Sequence, residues 1–254
     1  MLFLIIIHLL CQLDSISLKS IGRSTKTDFV LRAVSDDYLI LLEKEKSTLY
    51  AINYKSAKIE SFSFDQVIDP IADLHISYDK TIVLLTQFNP TLIRFDRLLN
   101  IIETQRLPSA ITEINAFYEL KTGAYLLLSR SQKKLFIYNK RNQLITETIE
   151  SGTYPKLQFT DPKTLFFFNS QVMIADRQFL HLFNRIPNYK ETINNSENLF
   201  YAENNSKGSF KLMSASTLIF NGKIIADTVL SATLSGNYLF YLDQTMELHR
   251  FALP

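Results

Sequence analysis

The chain has 254 residues, 46% of them hydrophobic, and its 19 Phe and 12 Tyr residues supply enough apolar volume for a sizeable core. This composition excludes an intrinsically disordered chain, and the aromatic content favours strands over helices. The formal net charge of +2 argues against nucleic-acid binding, which needs a concentrated basic surface to displace counterions.

The first element in the chain is an apolar run at residues 2–10, which has signal-peptide length and is too short to span a bilayer as a helix. We therefore predict a signal peptide over residues 1–17. Cleavage could follow Cys11 or could follow Ser17, where Ser15 and Ser17 give a small-x-small pattern. The alternative is a buried N-terminal strand, because no Lys or Arg precedes the run. No other apolar run is long enough to cross a membrane.

Cys11 is the only cysteine, so its removal with the signal peptide would leave a mature protein without a disulfide. A domain of this size does not need disulfides, and the composition is therefore compatible with export. Acylation of Cys11 is another possibility, although Leu10 stands where lipoprotein signals have a small residue.

Beyond the N-terminus, one short pattern recurs: Leu, two variable residues, an aromatic or aliphatic residue, and then Asn or Asp in all copies except the last. It occurs at residues 49–53, 92–96, 135–139, 180–184 and 248–251, and a contracted copy with a single variable residue lies at 218–221. The leucines of the first three copies, Leu49, Leu92 and Leu135, are spaced by 43 residues. The next gaps are 45, 38 and 30 residues, so the last copies are shorter. A recurring period of this size indicates a repeat architecture.

Each copy of the pattern has the same neighbours. An apolar run precedes it, at 38–42, 81–85, 124–128, 172–174, 210–213 and 238–242, and another strand-like segment precedes that run. An alternating segment follows the pattern, most clearly at 58–64 and 144–149. The pair Asn221-Gly222 predicts a tight hairpin. Four short strands in about 40 residues are typical of one blade of a β-propeller.

The ends of the chain complete this prediction. The sixth repeat has three strands and then the chain stops, whereas residues 13–21 belong to no repeat. We predict that residues 13–21 form the outer strand of the last sheet and close the ring, because an open edge there would invite aggregation. The predicted fold class is all-β, a six-bladed β-propeller over residues 18–254 whose N-terminal strand closes the last blade.

The order of apolar strand, turn, L-x-x-F-D/N, turn and alternating strand resembles the NHL-type, six-bladed propeller superfamily, most closely at residues 79–103 and 123–147. The sequence lacks the tryptophan-aspartate signature of WD-type repeats, since it has no Trp. The resemblance implies a platform for ligands or proteins, and some members are hydrolases. Any single function carried across on the fold would rest on analogy.

The sequence contains no G-x-S-x-G, HExxH, C-x-x-C or P-loop motif. His181 and His249 share one register of the repeat, either as tolerated polar residues or as a shared metal site. Propeller lactonases, which the fold resembles, hold a divalent metal with Glu, Asn and Asp around the channel. The comparable strand ends here hold Asp36, Asp37, Asp79, Glu119, Asp161 and Glu203, which surface turns explain equally well. No cofactor is predicted.

Two groups of residues are candidates for an interaction surface. The Lys and Arg residues between Arg130 and Arg141 fall into two groups, one in the turn before a predicted strand and one in the turn after it. They therefore predict two solvated turns rather than one basic surface patch. The aromatic residues Phe166, Phe167 and Phe168, with Tyr154, are candidate contacts for a protein partner. The alternative for 166–168 is the inner apolar strand of that blade, with residues 171–176 next along.

These features predict an exported, non-catalytic binding or scaffold protein, periplasmic or extracellular, that presents propeller loops to a protein partner. A cell-envelope or secretion assembly is one such setting. The alternative is a metal-dependent, lactonase-like hydrolase, which stoichiometric calcium or zinc in the purified protein would favour.

Overall fold

The computed structural model describes residues 14–21, 29–64, 69–77, 79–108, 111, 114–119, 124–129, 132, 134–147, 164–168, 171–175, 179–183, 190–192, 199–205, 207–213 and 216–253. Apart from one 3-10 helix at Lys19–Ile21, the regular elements in these ranges are β-strands. None of the described helices has the length and apolarity needed to cross a membrane. The prediction of an all-β chain is confirmed.

The described strands form five sheets, one of which has eight strands. We divide the strands in chain order into units, within which consecutive strands pair antiparallel. Strand β1 is Asp14–Ser17. Unit 1 contains β2 (Phe29–Ser35), β3 (Tyr38–Glu43), β4 (Thr48–Asn53) and β5 (Lys58–Ser63). Unit 2 contains β6 (Ile71–Ile76), β7 (Ile82–Thr86), β8 (Thr91–Phe95) and β9 (Ile101–Arg106). Unit 3 contains β10 (Ile114–Glu119), β11 (Tyr125–Ser129), β12 (Lys134–Tyr138) and β13 (Leu144–Glu147).

Units 4 and 5 together form an eight-stranded sheet. Unit 4 contains β14 (Thr164–Phe168), β15 (Gln171–Ala175), β16 (Phe179–Phe183) and β17 (Lys190–Thr192). Unit 5 contains β18 (Leu199–Asn205), β19 (Gly208–Met213), β20 (Leu218–Phe220) and β21 (Lys223–Ala226). Their first strands pair in parallel at Phe167 and Glu203. This parallel pairing shows that the two first strands run side by side in the same direction.

Unit 6 joins the two ends of the described chain. It contains β22 (Val229–Ser235), β23 (Tyr238–Asp243) and β24 (Glu247–Ala252). Strand β1 pairs antiparallel with β24, with Asp14 opposite Arg250 and Ser17 opposite Glu247. Leu18, the next residue, is fully buried, and its backbone N–H donates to the Met246 carbonyl at 2.8 Å. The N-terminal strand therefore occupies the outer position of the last sheet.

The first strands of the units contact one another in order. Strand β2 contacts β6, β6 contacts β10, β10 contacts β14, and β18 contacts β22. The parallel pairing joins β14 to β18, and β22 contacts β2 in turn. Each first strand thus has the first strands of two other units as its neighbours.

Burial explains why the strands have different compositions. Strands β3 and β7 are buried along almost their whole length, because apolar clusters cover both faces of each strand. Strands β5 and β9, the last strands of their units, are exposed at most positions. One apolar cluster fills the space between units 1 and 2, and another between units 6 and 1 includes Leu18.

The recurring Asn or Asp after the third strand stabilises the following turn in units 2 and 3. Asp96 Oδ1 accepts the backbone N–H groups of Leu98 and Asn100 at 2.8 and 2.9 Å. Asn139 does the same in unit 3, accepting two backbone N–H groups at 2.9 and 3.0 Å. Leu99, inside the Asp96 turn, has φ of +61°. The side-chain hydrogen bonds stabilise a backbone conformation that residues other than Gly rarely adopt.

The predicted hairpin at Asn221-Gly222 is confirmed between β20 and β21. Asn221 and Gly222 have φ of +47° and +80°. Two consecutive left-handed residues match the right-handed twist of the flanking strands, which explains the Asn-Gly pair.

Candidate functional site

A cluster of largely buried charged and polar side chains lies where units 1, 2 and 3 meet. We call it the inter-sheet polar cluster and define it by these residues: Arg32, Asp73, His75, Arg94 and Glu119. Arg32, Asp73, His75 and Glu119 lie on the first strands of three units, and Arg94 lies on the third strand of unit 2. It is the strongest candidate for chemistry in the described residues.

Arg94 and Glu119 form the centre of the cluster. Nη1 and Nη2 of Arg94 donate to Oε2 and Oε1 of Glu119, each at 3.0 Å, and both side chains are largely buried. Ser77 donates a further hydrogen bond to Glu119. Burial works against the charge of Arg94, but the hydrogen bonds to Glu119 outweigh it and raise the arginine pKa. The pair is a fixed bidentate bridge between units 2 and 3.

Arg32 and Asp73 make a second bridge, between backbone groups of different units. Arg32 Nε donates to the Leu74 carbonyl at 3.1 Å, and Asp73 Oδ2 accepts the Phe117 backbone N–H at 2.9 Å. The two side chains approach each other at 3.9 Å. Burial raises the pKa of Asp73, although Arg32 and the accepted hydrogen bonds oppose the shift.

His75 is held in its neutral form by its surroundings. Its ring packs edge-on against Phe117 and Tyr118, with centroids 5.5 and 5.0 Å away. Burial and the positive charges of Arg32 and Arg94 lower the pKa of His75 to about 3. A histidine with this pKa does not exchange protons near pH 7, so it is a poor general acid or base there.

The cluster therefore joins sheets rather than presenting reactive groups, because its charges already bind one another or the backbone. The acids considered as metal ligands are similarly engaged. Glu119 binds Arg94, Asp36 accepts from the Ser235 hydroxyl at 2.7 Å, and Asp79 accepts from the Thr81 hydroxyl at 2.8 Å. In the residues that the structure describes, no three His, Cys, Asp or Glu side chains converge as metal ligands. Asp161 lies outside the described residues, and Glu203 lies in β18.

His249 has a polar partner on its own sheet. Its Nε2 lies 2.8 Å from Oδ2 of Asp243, and its ring stacks on Tyr241 with centroids 4.6 Å apart. Burial opposes the charge of Asp243, but the bond to His249 and backbone hydrogen bonds lower the Asp243 pKa. Within the described residues, the contacts of His249 with Asp243 and Tyr241 are structural. His181, at the same register of the repeat, lies in β16, paired with Ile174 and Lys190.

Arg250 lies between units 6 and 1 and contacts residues of both. Its guanidinium lies over the rings of Tyr54 and Tyr238, at 4.6 and 4.8 Å from their centroids, and 3.6 Å from Asp37. Such stacking suits the planar, weakly hydrated guanidinium. Close by, Gly236 approaches Asp36 so closely that a Cβ at this glycine would lie 2.4 Å from Oδ1 of Asp36.

The residues predicted from sequence as partner contacts lie partly within the described part of the chain. Phe166, Phe167 and Phe168 lie in β14, the first strand of unit 4, which is the alternative that the sequence left open for them. Tyr154 lies outside the described residues. Their contact with a partner stays a prediction.

The inter-sheet polar cluster could not be identified from the sequence. Arg94 and Glu119 follow no motif, and they lie on different sheets. The available signal was a polar residue inside an otherwise apolar strand, as with Arg32 in β2 and Asp73 in β6. A buried charge needs a partner, which makes such positions candidates for contacts between units.

No protein-family model matches the chain, and no curated protein matches it by sequence. Solved structures do match it. Virginiamycin B lyase from Staphylococcus aureus superposes with a TM-score of 0.64 at 10% identity, over 96% of this chain and 100% of that one. A chain of the mitotic checkpoint complex superposes with a TM-score of 0.65 at 11% identity, over 95% of each chain.

The luciferin-regenerating enzyme gives a TM-score of 0.60 at 9% identity, over 94% of this chain and 95% of that one. At such identities the similarity concerns the fold alone, and the names of these proteins include enzymes as well as a checkpoint assembly. Their shared architecture, together with the small antiparallel sheets described above, shows that this chain has a β-propeller fold.

Proposed function

We propose that the protein is an exported, non-catalytic scaffold, a six-bladed propeller that presents its loops to a protein partner. The observation that carries this proposal is the set of contacts between first strands, in which the last unit contacts the first. A closed ring is rigid and holds its turns at fixed positions, which lowers the entropic cost of binding a partner. The fourth-strand position taken by β1 supports the proposed closure.

The position of β1 also bears on the proposed signal peptide. Cleavage after Ser17 would remove Asp14–Ser17, the strand that pairs with β24. Cleavage after Cys11 leaves it in the mature protein. We therefore favour a mature chain that begins at Gln12. Mass spectrometry of the protein from its native cells tests this boundary, and a mature N-terminus at Leu18 or an uncleaved chain would contradict it.

The described contacts support a structural use of the buried charges. The inter-sheet polar cluster satisfies its charges internally, and His75 is neutral near pH 7. Arg250 is likewise engaged by Tyr54, Tyr238 and Asp37. These contacts stabilise the platform and leave binding to surface loops and edges. Phe166, Phe167, Phe168 and Tyr154 are proposed contacts.

The experiment that tests the scaffold is isolation of the tagged mature protein from its native envelope and culture medium. We expect one protein to co-purify at constant stoichiometry through a high-salt wash. The wash removes partners held by screened surface charges alone. Recovery of the tagged protein alone from both fractions would contradict the proposal.

A hydrolase is the alternative from a different functional class, and elemental analysis of the same preparation separates the two. A scaffold is expected to carry no stoichiometric metal after dialysis. Calcium or zinc near one equivalent, retained through dialysis, would favour the hydrolase.

A further inference from the structure

Strand β9, the outer strand of unit 2, has an exposed edge of unusual composition. It has six residues, whereas β1, β13 and β21 have four each and β17 has three. We propose that an extended acidic segment of a protein partner binds here by adding a strand to β9. The inference rests on the proposed function, since it names where and how a protein partner would bind.

The backbone of β9 has outward N–H and C=O groups that could pair with such a strand. Leu107 N donates to the Pro90 carbonyl at 2.8 Å, and the register pairs Gln105 with Leu92. Because hydrogen-bonded and non-bonded pairs alternate in an antiparallel ladder, the N–H and C=O groups of Thr104 and Arg106 face away from the sheet. They present donors and acceptors with the two-residue spacing of a new strand.

Several large hydrophobic side chains around this edge are exposed to solvent. Leu98, Ile101 and Ile102 have exposed fractions of 72%, 54% and 55%. Leu144, at the start of the outer strand of unit 3, is also exposed, and unit 3 contacts β9 through Gln105 Nε2 and Asn142 Oδ1 at 2.6 Å. Most of the large exposed hydrophobic residues of the described chain therefore lie around this edge.

The charge around the edge favours an acidic occupant. Arg97, Arg106, Lys140 and Arg141 are exposed, and none of them forms an ion pair within the described residues. The nearby acids are engaged: Asp96 binds its own turn, and Glu103 lies 3.4 Å from Arg94 Nε. Unpaired bases next to an open edge complement carboxylates on an incoming strand.

The neighbouring outer strand β5 has the same length but lacks these properties. Its Lys58 pairs with Glu60, and its Phe62 packs against Phe95 of unit 2. Phe64 N donates to the Ser47 carbonyl, so the backbone groups of Ser61 and Ser63 face outward there. Strand β5 is therefore a matched control edge.

An extended peptide explains the open backbone groups of Thr104 and Arg106, whereas an anionic membrane surface would use the apolar and basic side chains alone. The test uses the full mature protein and two fluorescein-labelled peptides of about ten residues, enough to pair along a whole strand. One alternates Val and Glu, and the other alternates Val and Lys. We expect the acidic peptide to bind at least about tenfold more tightly than the basic one.

Two pairs of variants separate backbone from charge. Thr104→Pro removes an outward N–H and also fixes φ at that residue, and it should weaken binding of the acidic peptide about tenfold or more. Ser61→Pro makes the same backbone change on β5 and should not weaken binding. Arg141→Glu should weaken binding of the acidic peptide severalfold. Lys55→Glu, in the corresponding turn of unit 1, should change this binding little. The charge variants keep the test valid if a proline variant fails to fold.

Several results would overturn the inference. One is equal binding of the two peptides, and another is equal loss with Thr104→Pro and Ser61→Pro in folded proteins. The third is binding to phosphatidylglycerol vesicles that Arg141→Glu weakens and Thr104→Pro does not, which would assign the edge to a lipid surface. If a native partner still co-purifies with Thr104→Pro, strand addition fails while the proposed scaffold stands.

Discussion

At the scale of single residues, the buried charges of this protein have specific and unequal partners. Arg94 contacts two carboxylates: Glu119, which is largely buried, and Glu103, which is mostly exposed. A charge left without its partner in a buried site costs much more than one left at the surface. The two glutamates therefore form a natural comparison.

We predict that Glu119→Gln lowers the free energy of unfolding by about 2–4 kcal/mol, because it removes the charge that compensates Arg94. Glu103→Gln should lower it by about 0–1 kcal/mol, because solvent screens that contact. Urea denaturation measures both. Equal losses for the two variants would show that burial does not distinguish the contacts.

His75 gives a pH dependence whose sign follows from its lowered pKa. The unfolded state binds a proton near pH 6.5, whereas the folded state binds it only near pH 3. Between these values the unfolded state holds more protons, so stability falls as the pH falls below about 6.5. We predict a shallower decrease for His75→Phe, which keeps a ring beside Phe117. Denaturation curves between pH 7 and 5 measure the slopes, and unchanged slopes would contradict the assignment.

At the scale of elements, the repeat was predictable because its cause is local. Alternation, apolar runs and the Asn-Gly pair depend on neighbouring residues, and they predicted the antiparallel strands and the hairpin between β20 and β21. The structural role of the recurring Asn or Asp was not predicted, although its position was. The side chain accepts backbone N–H groups within the following turn, a contact that a spacing pattern alone does not reveal.

Contacts between units could not be predicted, since they join residues far apart in the sequence. Ser231 Oγ accepts the Leu31 backbone N–H at 2.9 Å, and Arg94 meets Glu119 on another sheet. Such pairs depend on how sheets face each other, and a single sequence does not give this information. The parallel pairing of Phe167 with Glu203 belongs to the same class.

The turn after the third strand of unit 2 offers a prediction at this scale. Asp96→Ala should lower the free energy of unfolding, because two backbone N–H groups of the turn lose their acceptor. Asp96→Asn should retain most of the stability of the original protein, since Asn139 caps the equivalent turn of unit 3. Thermal or urea denaturation distinguishes the two. A loss with Asn as large as with Ala would indicate that the charge, rather than the acceptor geometry, stabilises the turn.

At the scale of the whole molecule, the N-terminal strand determines whether the last sheet has an open edge. Strand β1 covers β24, and Leu18 fills the cluster between units 6 and 1. Without these residues, β24 would present unpaired backbone groups to other molecules.

We predict that deletion of residues 1–11 leaves the stability of the folded protein unchanged, whereas deletion of residues 1–18 lowers it by several kcal/mol. The loss of Leu18 alone is expected to cost about 2–5 kcal/mol, the range for removing a large buried side chain. Urea denaturation and size-exclusion chromatography measure the result, and self-association is expected only for the longer deletion. Equal stability of the two proteins would contradict the role of β1 as the closing strand.

The pairing of β1 with β24 has a further consequence for how the chain could be rearranged. Asp14 lies opposite Arg250, only a few residues from Leu253, so a short linker could join residue 253 directly to residue 14. New termini could then be opened elsewhere, for example in the Asn221-Gly222 hairpin. Such a circular permutant should retain the architecture, because every strand keeps its neighbours while the covalent path changes.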